Sequence, residues 1–311
     1  MFGHQDDPMY GLGWAYEDGR SDVLETCGDY PAVMGFDLGG IEKNDSKNLD
    51  SVPFARTREE IRRHHQRGGI ITLSWHPRNP MNGGTAWNAT DGTVTAILTT
   101  HADTFALWLQ RVADFMLTLT TTDGRPIPFI FRPWHENNGG WFWWGEQHCS
   151  ADEFLSLWNR TQDYLLSRGL NNIVWAYSPN LDGAFTEDYF LQRYPGDDRV
   201  DLIGLDAYQW GTEEDFVRQT NADLRFLSDF AHRHHKLVAL TECGYQSVPD
   251  STWWHRVLLP IVQAYPLSHA LVWRNANQKE HFGPVPATAQ GEDFLLFYAA
   301  PRTLFLQDIN N

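Results

Sequence analysis

Pro128-Phe-Ile-Phe-Arg-Pro-Trp-His-Glu136 is an apolar run that stops abruptly at an acid. Its near-continuous Phe and Ile predict a strand covered on both faces, as in a parallel sheet flanked by helices. Pro133 is a poor central-strand residue, so the chain is expected to bend there and leave the sheet. Leu237-Val-Ala-Leu-Thr-Glu242 repeats the pattern: a second apolar burst, again closed by a glutamate.

Working outward from these two, the same punctuation recurs. Short apolar runs occupy Met1–Gln5, Ala32–Asp37, Gly69–His76, Pro128–Glu136, Asn172–Pro179, Val200–Tyr208, Lys236–Glu242 and Ser268–Asn275. Helical patterns fill several of the gaps. Thr57–Arg67 opens with a Thr N-cap and early acids. Leu98–Leu119 carries Phe105, Leu109, Val112, Phe115 and Met116 at helical spacing. Ser150–Ser167 begins with the capping-box pattern of Ser150 and Glu153. Asp215–His235 and Thr252–Ala264 come next. Strands alternating with helices predict an α/β protein, a (β/α)8 TIM barrel, and 311 residues suit a single domain of that kind over 1–311.

The balance of 24 basic and 40 acidic residues, a formal charge of −16, argues against nucleic acid and against an anionic membrane face. No apolar run approaches the roughly 18 residues that a membrane span requires. Cys27, Cys149 and Cys243 lack metal-ligand spacing and read as small buried apolar residues, with a Cys27–Cys149 disulfide left open. The 14 Trp are more than a core ordinarily needs, because each buried indole N–H wants a partner. Flat apolar faces with a polar edge match the C–H faces of sugar rings, so the excess is read as a polysaccharide groove.

In such a barrel, parallel strands bring their C-terminal ends to one rim. Glu136 and Glu242 then form a pair of carboxylates, the arrangement that sugar-bond hydrolysis uses. A carboxyl among Trp134, Trp141, Trp143 and Trp144 is desolvated and its pKa raised, as a general acid needs. An acid that closes an apolar strand must be paired, and Arg132 is the expected partner of Glu242, a nucleophile candidate. Ser74-Trp-His76, Asp206-Ala-Tyr208-Gln-Trp210 and Val272-Trp273-Arg-Asn275 close three other strands at the same rim. His76 and His135 are expected on sugar hydroxyls, Tyr208 on the nucleophile and Trp273 under the ring being cleaved.

The run RPWHENNGGWFWWG, with SWHP upstream, GLDAY between, TECGY downstream and LVWRN near the end, resembles glycoside hydrolase family 26. MFGHQDD and PAVMGFD resemble it too, so the likeness spans nearly the whole chain. Its best-known members are β-1,4-mannanases. The resemblance implies a retaining double displacement without cofactor or metal, with Glu136 as acid/base and Glu242 as nucleophile. It places His76, His135, Tyr208 and Trp273 around the sugar at the point of cleavage, and Trp141 on the leaving-group side. Arg274 and Asn275 are expected near the non-reducing-end sugars, and Trp87 is matched to a tryptophan of the loop after strand three. The broader clan usually carries Asn where His135 stands, and that swap fits a sugar with an axial 2-hydroxyl.

The expected partner is therefore a β-mannan (mannan, galactomannan or glucomannan) cut internally by a monomeric enzyme. Xylan, mixed-linkage β-glucan and exo-acting release of mannobiose are the alternatives. No leader is visible in MFGHQDD, and an extracellular, cell-surface or periplasmic location is inferred from the polymer alone. Two rivals are weaker. A metal-dependent hydrolase would draw on His4, Asp6, His76 and His135, but the first strand ends His-Gln-Asp rather than in two spaced histidines. A binding module that has lost catalysis is disfavoured because both acids are present. His232-Arg-His-His235 reads as a solvated helix end.

Overall fold

A computed structural model describes residues 1–310. Eight parallel strands close into a barrel: β1 Phe2–Gln5, β2 Val33–Asp37, β3 Ile70–Ser74, β4 Phe129–Arg132, β5 Ile173–Tyr177, β6 Leu202–Tyr208, β7 Leu237–Gly244 and β8 Ala270–Val272. The ring closes where Phe2 pairs with Ala270 and Gly3 with Val33. All eight expected strands are present. The third, fourth, fifth and eighth end sooner than their apolar runs, and the residues beyond those ends turn into the mouth.

The helices are α1 Asp22–Cys27, α2 Phe54–Gln66, α3 Thr93–Leu98, α4 Ala102–Met116, α5 Ala151–Ser167, α6 Glu187–Arg193, α7 Glu213–Arg233, α8 Leu259–Ala264 and α9 Ala289–Tyr298. In α2, Phe54, Thr57, Ile61 and His64 are buried, the stripe of an amphipathic helix on a sheet. This helix starts three residues before the expected Thr cap. Thr57 lies inside it, its hydroxyl 3.4 Å from Pro53 O.

The helix expected over Leu98–Leu119 is α4, and its start is delayed to Ala102 because Leu98 closes the preceding α3, where the Thr99 hydroxyl donates to Thr95 O at 2.6 Å, a local bond that competes with the helical ladder. Thr252–Ala264 begins instead as a π-helix, Trp254–Leu258, leading into α8, where Pro260 has no N–H to give. At α5 the capping box is complete, with Ser150 Oγ accepting from Glu153 N and Glu153 Oε2 from Ser150 N. Ser150→Ala should lower stability by about 1 kcal/mol, read as a fall in denaturant midpoint at constant slope.

The three cysteines are free. Cys27 Sγ donates to Val23 O and Cys149 Sγ to Trp144 O, both at 3.2 Å, so the bridge left open by the sequence is not formed.

One irregularity shapes the mouth. β6 and β7 run in register from Leu202↔Leu237 to Leu205↔Leu240, and then Asp206 pairs with Glu242. Against β8 the same step occurs, from Ala270↔Leu240 to Val272↔Cys243. Thr241 is thus an extra residue against β6, and Thr241 and Glu242 together oppose one residue of β8, a bulge that re-aims the side chain of Glu242. Gly204 accommodates it: a Cβ there would sit 2.3 Å from Thr241 Oγ1.

Candidate active site

β4 ends at Arg132, and the chain then kinks. Trp134 and Glu136 both take left-handed backbone, with φ of 53° and 52°. Neither is a glycine, so each position stores strain that its surroundings must hold. Glu136 N donates to Ser178 O at 2.8 Å, tying the kink to the segment after β5. The bend anticipated at Pro133 is therefore a leftward turn that drops the Glu136 carboxyl into the mouth.

From the opposite side, the bulge in β7 delivers Glu242. A carboxylate oxygen from each of Glu136, Asp206 and Glu242 lies within 4.8 Å of the other two. Such a trio could hold a cation, but a resident one already spans two of its members. Arg132 donates from Nη1 to Asp206 Oδ2 at 2.7 Å and from Nη2 to Glu242 Oε1. The other oxygen of Glu242 accepts from Tyr208 Oη at 2.6 Å. Asp206 is further held by Thr241 Oγ1 at 2.7 Å and Ser178 Oγ at 3.2 Å. Burial, then the charge of Glu242, keeps the Tyr208 hydroxyl well above its usual pKa, so it stays a donor.

Glu136 is held differently. Burial first, then the negative charges of Asp206 and Glu242, lift its pKa well above the usual carboxylate range. Trp141 Nε1, which donates to Glu136 Oε2 at 2.6 Å, and Arg132 pull the other way. The two acids thus sit in contrasting environments, one neutral-favouring and one anchored by a cation and a phenol. A general acid works only while protonated, so activity should fall as pH rises through the Glu136 pKa. Trp141→Phe removes a group that lowers that pKa. The alkaline limb of the kcat profile should move to higher pH, by a fraction of a unit to about one unit; an unmoved or downward-shifted limb would contradict this.

A histidine relay runs beside the pair. Asp37, at the end of β2, lies 2.6 Å from His76 Nδ1, and His76 Nε2 lies 2.9 Å from His135 Nε2. Burial opposes a charge on His76, but the Asp37 carboxylate prevails and its pKa is raised. Burial, with Arg132 and His76 close by, pushes His135 well below its usual value. Between the two Nε2 atoms one ring donates and the other accepts. The Nε2 of His135 is 4.0 Å from Glu242 Oε1.

The cleft holds about 460 Å³ and is lined by His76, Trp87, His135, Glu136, Trp141, Phe142, Asn180, Tyr208, Trp210, Glu242, Gln246, Trp273, Glu280 and Phe282. Trp87 stacks on His76 at 5.2 Å and 13°. Its long loop is pinned by Asn79 Nδ2 donating to Asn88 O at 2.8 Å.

Two expected contacts fall outside the lining. Arg274 is ion-paired behind it with Asp50 at 3.1 Å and Glu280 at 2.8 Å. Asn275 is wholly buried: its amide donates to Asp22 Oδ2 at 2.8 Å and accepts from the Phe282 and Gly283 N–H groups. Its carboxamide braces the loop after β8 instead of facing a sugar.

The tryptophan excess also needs correction. Seven of the 14, Trp75, Trp134, Trp143, Trp144, Trp158, Trp253 and Trp254, are core residues with under 2% exposure. Most have a partner for the indole N–H, such as Thr161 for Trp134 and Gln290 for Trp254. The cleft takes four: Trp87, Trp141, Trp210 and Trp273. Asp37 was missed, although it closes an apolar strand just as Glu242 does. Glu280 and Phe282 sit in a loop without periodicity and gave no signal.

Two carboxyls set this close beneath an aromatic cleft on a (β/α)8 barrel form the arrangement that glycosidases use. The model of glycosyl hydrolase family 26 matches residues 1–277, and the chain belongs to that family. A mannan endo-1,4-β-mannosidase of Bifidobacterium adolescentis is 38% identical over 241 residues, which is 72% of this chain and 24% of that protein. The chain thus spans about a quarter of that relative's length. A GH26 β-mannanase structure from Bacteroides ovatus superposes with a TM-score of 0.96 at 44% identity, covering 100% of this chain and 92% of the other. A modular endo-β-1,4-mannanase from Cellulomonas fimi gives 0.89 at 34% identity, covering 99% and 72%.

Proposed function

We propose that this chain is an endo-acting, retaining β-1,4-mannanase whose catalytic unit is residues 1–311. The separation of the two acids carries the reading. Carboxyls about 5–5.5 Å apart suit retention, whereas roughly 6.5–9.5 Å leaves room for an inverting water, and oxygens of Glu136 and Glu242 come within 4.8 Å. Glu242, held by Arg132 and Tyr208, attacks C1 of the sugar while Glu136 gives its proton to the departing oxygen. The bond to the leaving sugar breaks and a glycosyl ester forms on Glu242. Glu136, now a carboxylate, takes a proton from water, which attacks the same carbon and frees Glu242.

Around this centre, His76 and His135 wall the space for the ring being cleaved, Trp273 lies under it, and Trp141 and Trp87 offer stacking faces. Arg274 acts through Glu280 on the flank of β8. The names of the Bifidobacterium, Bacteroides and Cellulomonas relatives support mannan as the polymer. No helix among the described residues is long and apolar enough to cross a membrane. A monomer working outside the cytoplasm, where the polymer lies, completes the reading. The test is reducing-sugar release and product profile on galactomannan, glucomannan, xylan and mixed-linkage β-glucan. A ladder of manno-oligosaccharides from the two mannans is expected. Preference for xylan or β-glucan overturns the substrate, and mannobiose as sole early product overturns endo action.

A further inference from the structure

Trp141 has to be held still to serve the acid, and its own stretch of chain does little to hold it. Its indole reaches Glu136 Oε2 at 2.6 Å from a loop, and 38% of the residue is exposed. Two glycines precede it. A Cβ at Gly139 would sit 2.4 Å from the Trp141 ring, and one at Gly140 would sit 2.3 Å from the Gln147 side chain, so the close approach requires both. Their freedom makes the hinge behind the tryptophan soft.

His148 supplies the restraint. Its Nε2 lies 2.9 Å from Gly140 O, the carbonyl of the peptide that carries the Trp141 N–H. Among the described residues no other hydrogen bond reaches that peptide. Nδ1 of the same ring lies 2.7 Å from Asp91 Oδ1. Both partners only accept, and the imidazolium serves both at once. The Asp91 side chain is 87% exposed, so the ion pair is weak and the bond to Gly140 carries the role.

The ring is anchored from a rigid side. His148 N donates to Gly145 O at 2.9 Å, and the Cys149 carbonyl accepts from Arg193 Nη2. Ser150, which follows, is the N-cap of α5 with its capping box complete. His148 itself does not line the cleft. What it does for the reaction therefore passes through the loop to Trp141.

We propose that His148 is a positioning residue for the proton donor: from the start of α5 it fixes the peptide before Trp141, and through that indole the Glu136 carboxyl. The proposal rests on the glycosidase reading above and extends it to a residue outside the cleft. A histidine that only braced the fold would affect good and poor leaving groups alike. One that acts through the acid matters most where the leaving group needs a proton.

The test compares kcat/KM for mannohexaose with kcat/KM for 2,4-dinitrophenyl β-mannobioside, whose aryl group departs without an acid. Assays are run at about pH 5.5, where an ordinary imidazole is protonated. In His148→Ala the ratio of the two should fall about fivefold, the order that one net hydrogen bond is worth. His148→Gln, whose NH2 can reach the Gly140 carbonyl, should restore most of it. In a Trp141→Phe background, where the indole is already gone, His148→Ala should lower the ratio by less than about twofold, because the two residues act as one unit. An unchanged ratio in the single variant overturns the proposal, whether both substrates are unaffected or both decline equally through a folding defect. So does a full second loss in the double variant, or a Gln variant no better than Ala. A wild-type protein that cleaves neither mannoside refutes the enzyme reading itself, before any variant is compared, and this proposal with it.

Discussion

Glu242→Ala should reduce kcat/KM by at least about 10⁴-fold, and equally for mannan and for an aryl mannoside with a good leaving group. A better leaving group removes the need for an acid but not for a nucleophile, so the loss cannot be rescued from that side. The substitution also strips Arg132 of one of its two carboxylate partners, leaving the guanidinium on Asp206. Breaking a buried pair is destabilising by roughly 3–5 kcal/mol, so Glu242→Gln, whose oxygen still accepts from Arg132 while its NH2 faces the Tyr208 oxygen as a donor, belongs beside it. Both variants should be inactive, while Glu242→Gln melts closer to the parent. Near-normal turnover of mannan by the folded Gln variant would remove Glu242 from the chemistry.

Glu136→Ala should split the substrates. Mannan, with a poor leaving group, should lose about 10³-fold in kcat, within the range general acid–base catalysis contributes. With an activated aryl mannoside the first step survives, and the second, deprived of its base, becomes limiting. A burst of released phenol followed by a slow steady state is expected, with a sugar ester on Glu242 detectable by mass. Azide, an anion that needs no base, should restore turnover and give a β-mannosyl azide. An equal loss on both substrates, without a burst, would mean that Glu136 is not the acid/base.

Much of this fold is legible in the chain because parallel strands covered on both faces read as unbroken apolar runs, and eight such runs leave few alternatives. The paired acids were legible for the same reason, since an acid at the end of an apolar run is conspicuous. Strand ends were less so. His76 lies beyond β3, where the Asp37 carboxylate holds both its ring and, at 3.4 Å, its backbone N–H. A contact between residues 39 apart has no periodic trace. Asn275 and the buried tryptophans show the converse limit. Residue type and place along a strand say that a side chain reaches the rim, but only packing decides whether it faces the cleft or the wall. The bulge at Thr241 was invisible, because it exists only in the register of β7 against its two neighbours.

The left-handed turn at Trp134 and Glu136 ties the backbone of the acid to the segment after β5, and the aromatic loop that follows holds its carboxyl through Trp141. Reach and reactivity are thereby uncoupled. The stretches 77–92 and 276–288 can be lengthened, shortened or exchanged to suit a different polysaccharide while the proton donor keeps its address. For anyone re-engineering this scaffold, the five residues from Arg132 to Glu136 are the ones to leave alone.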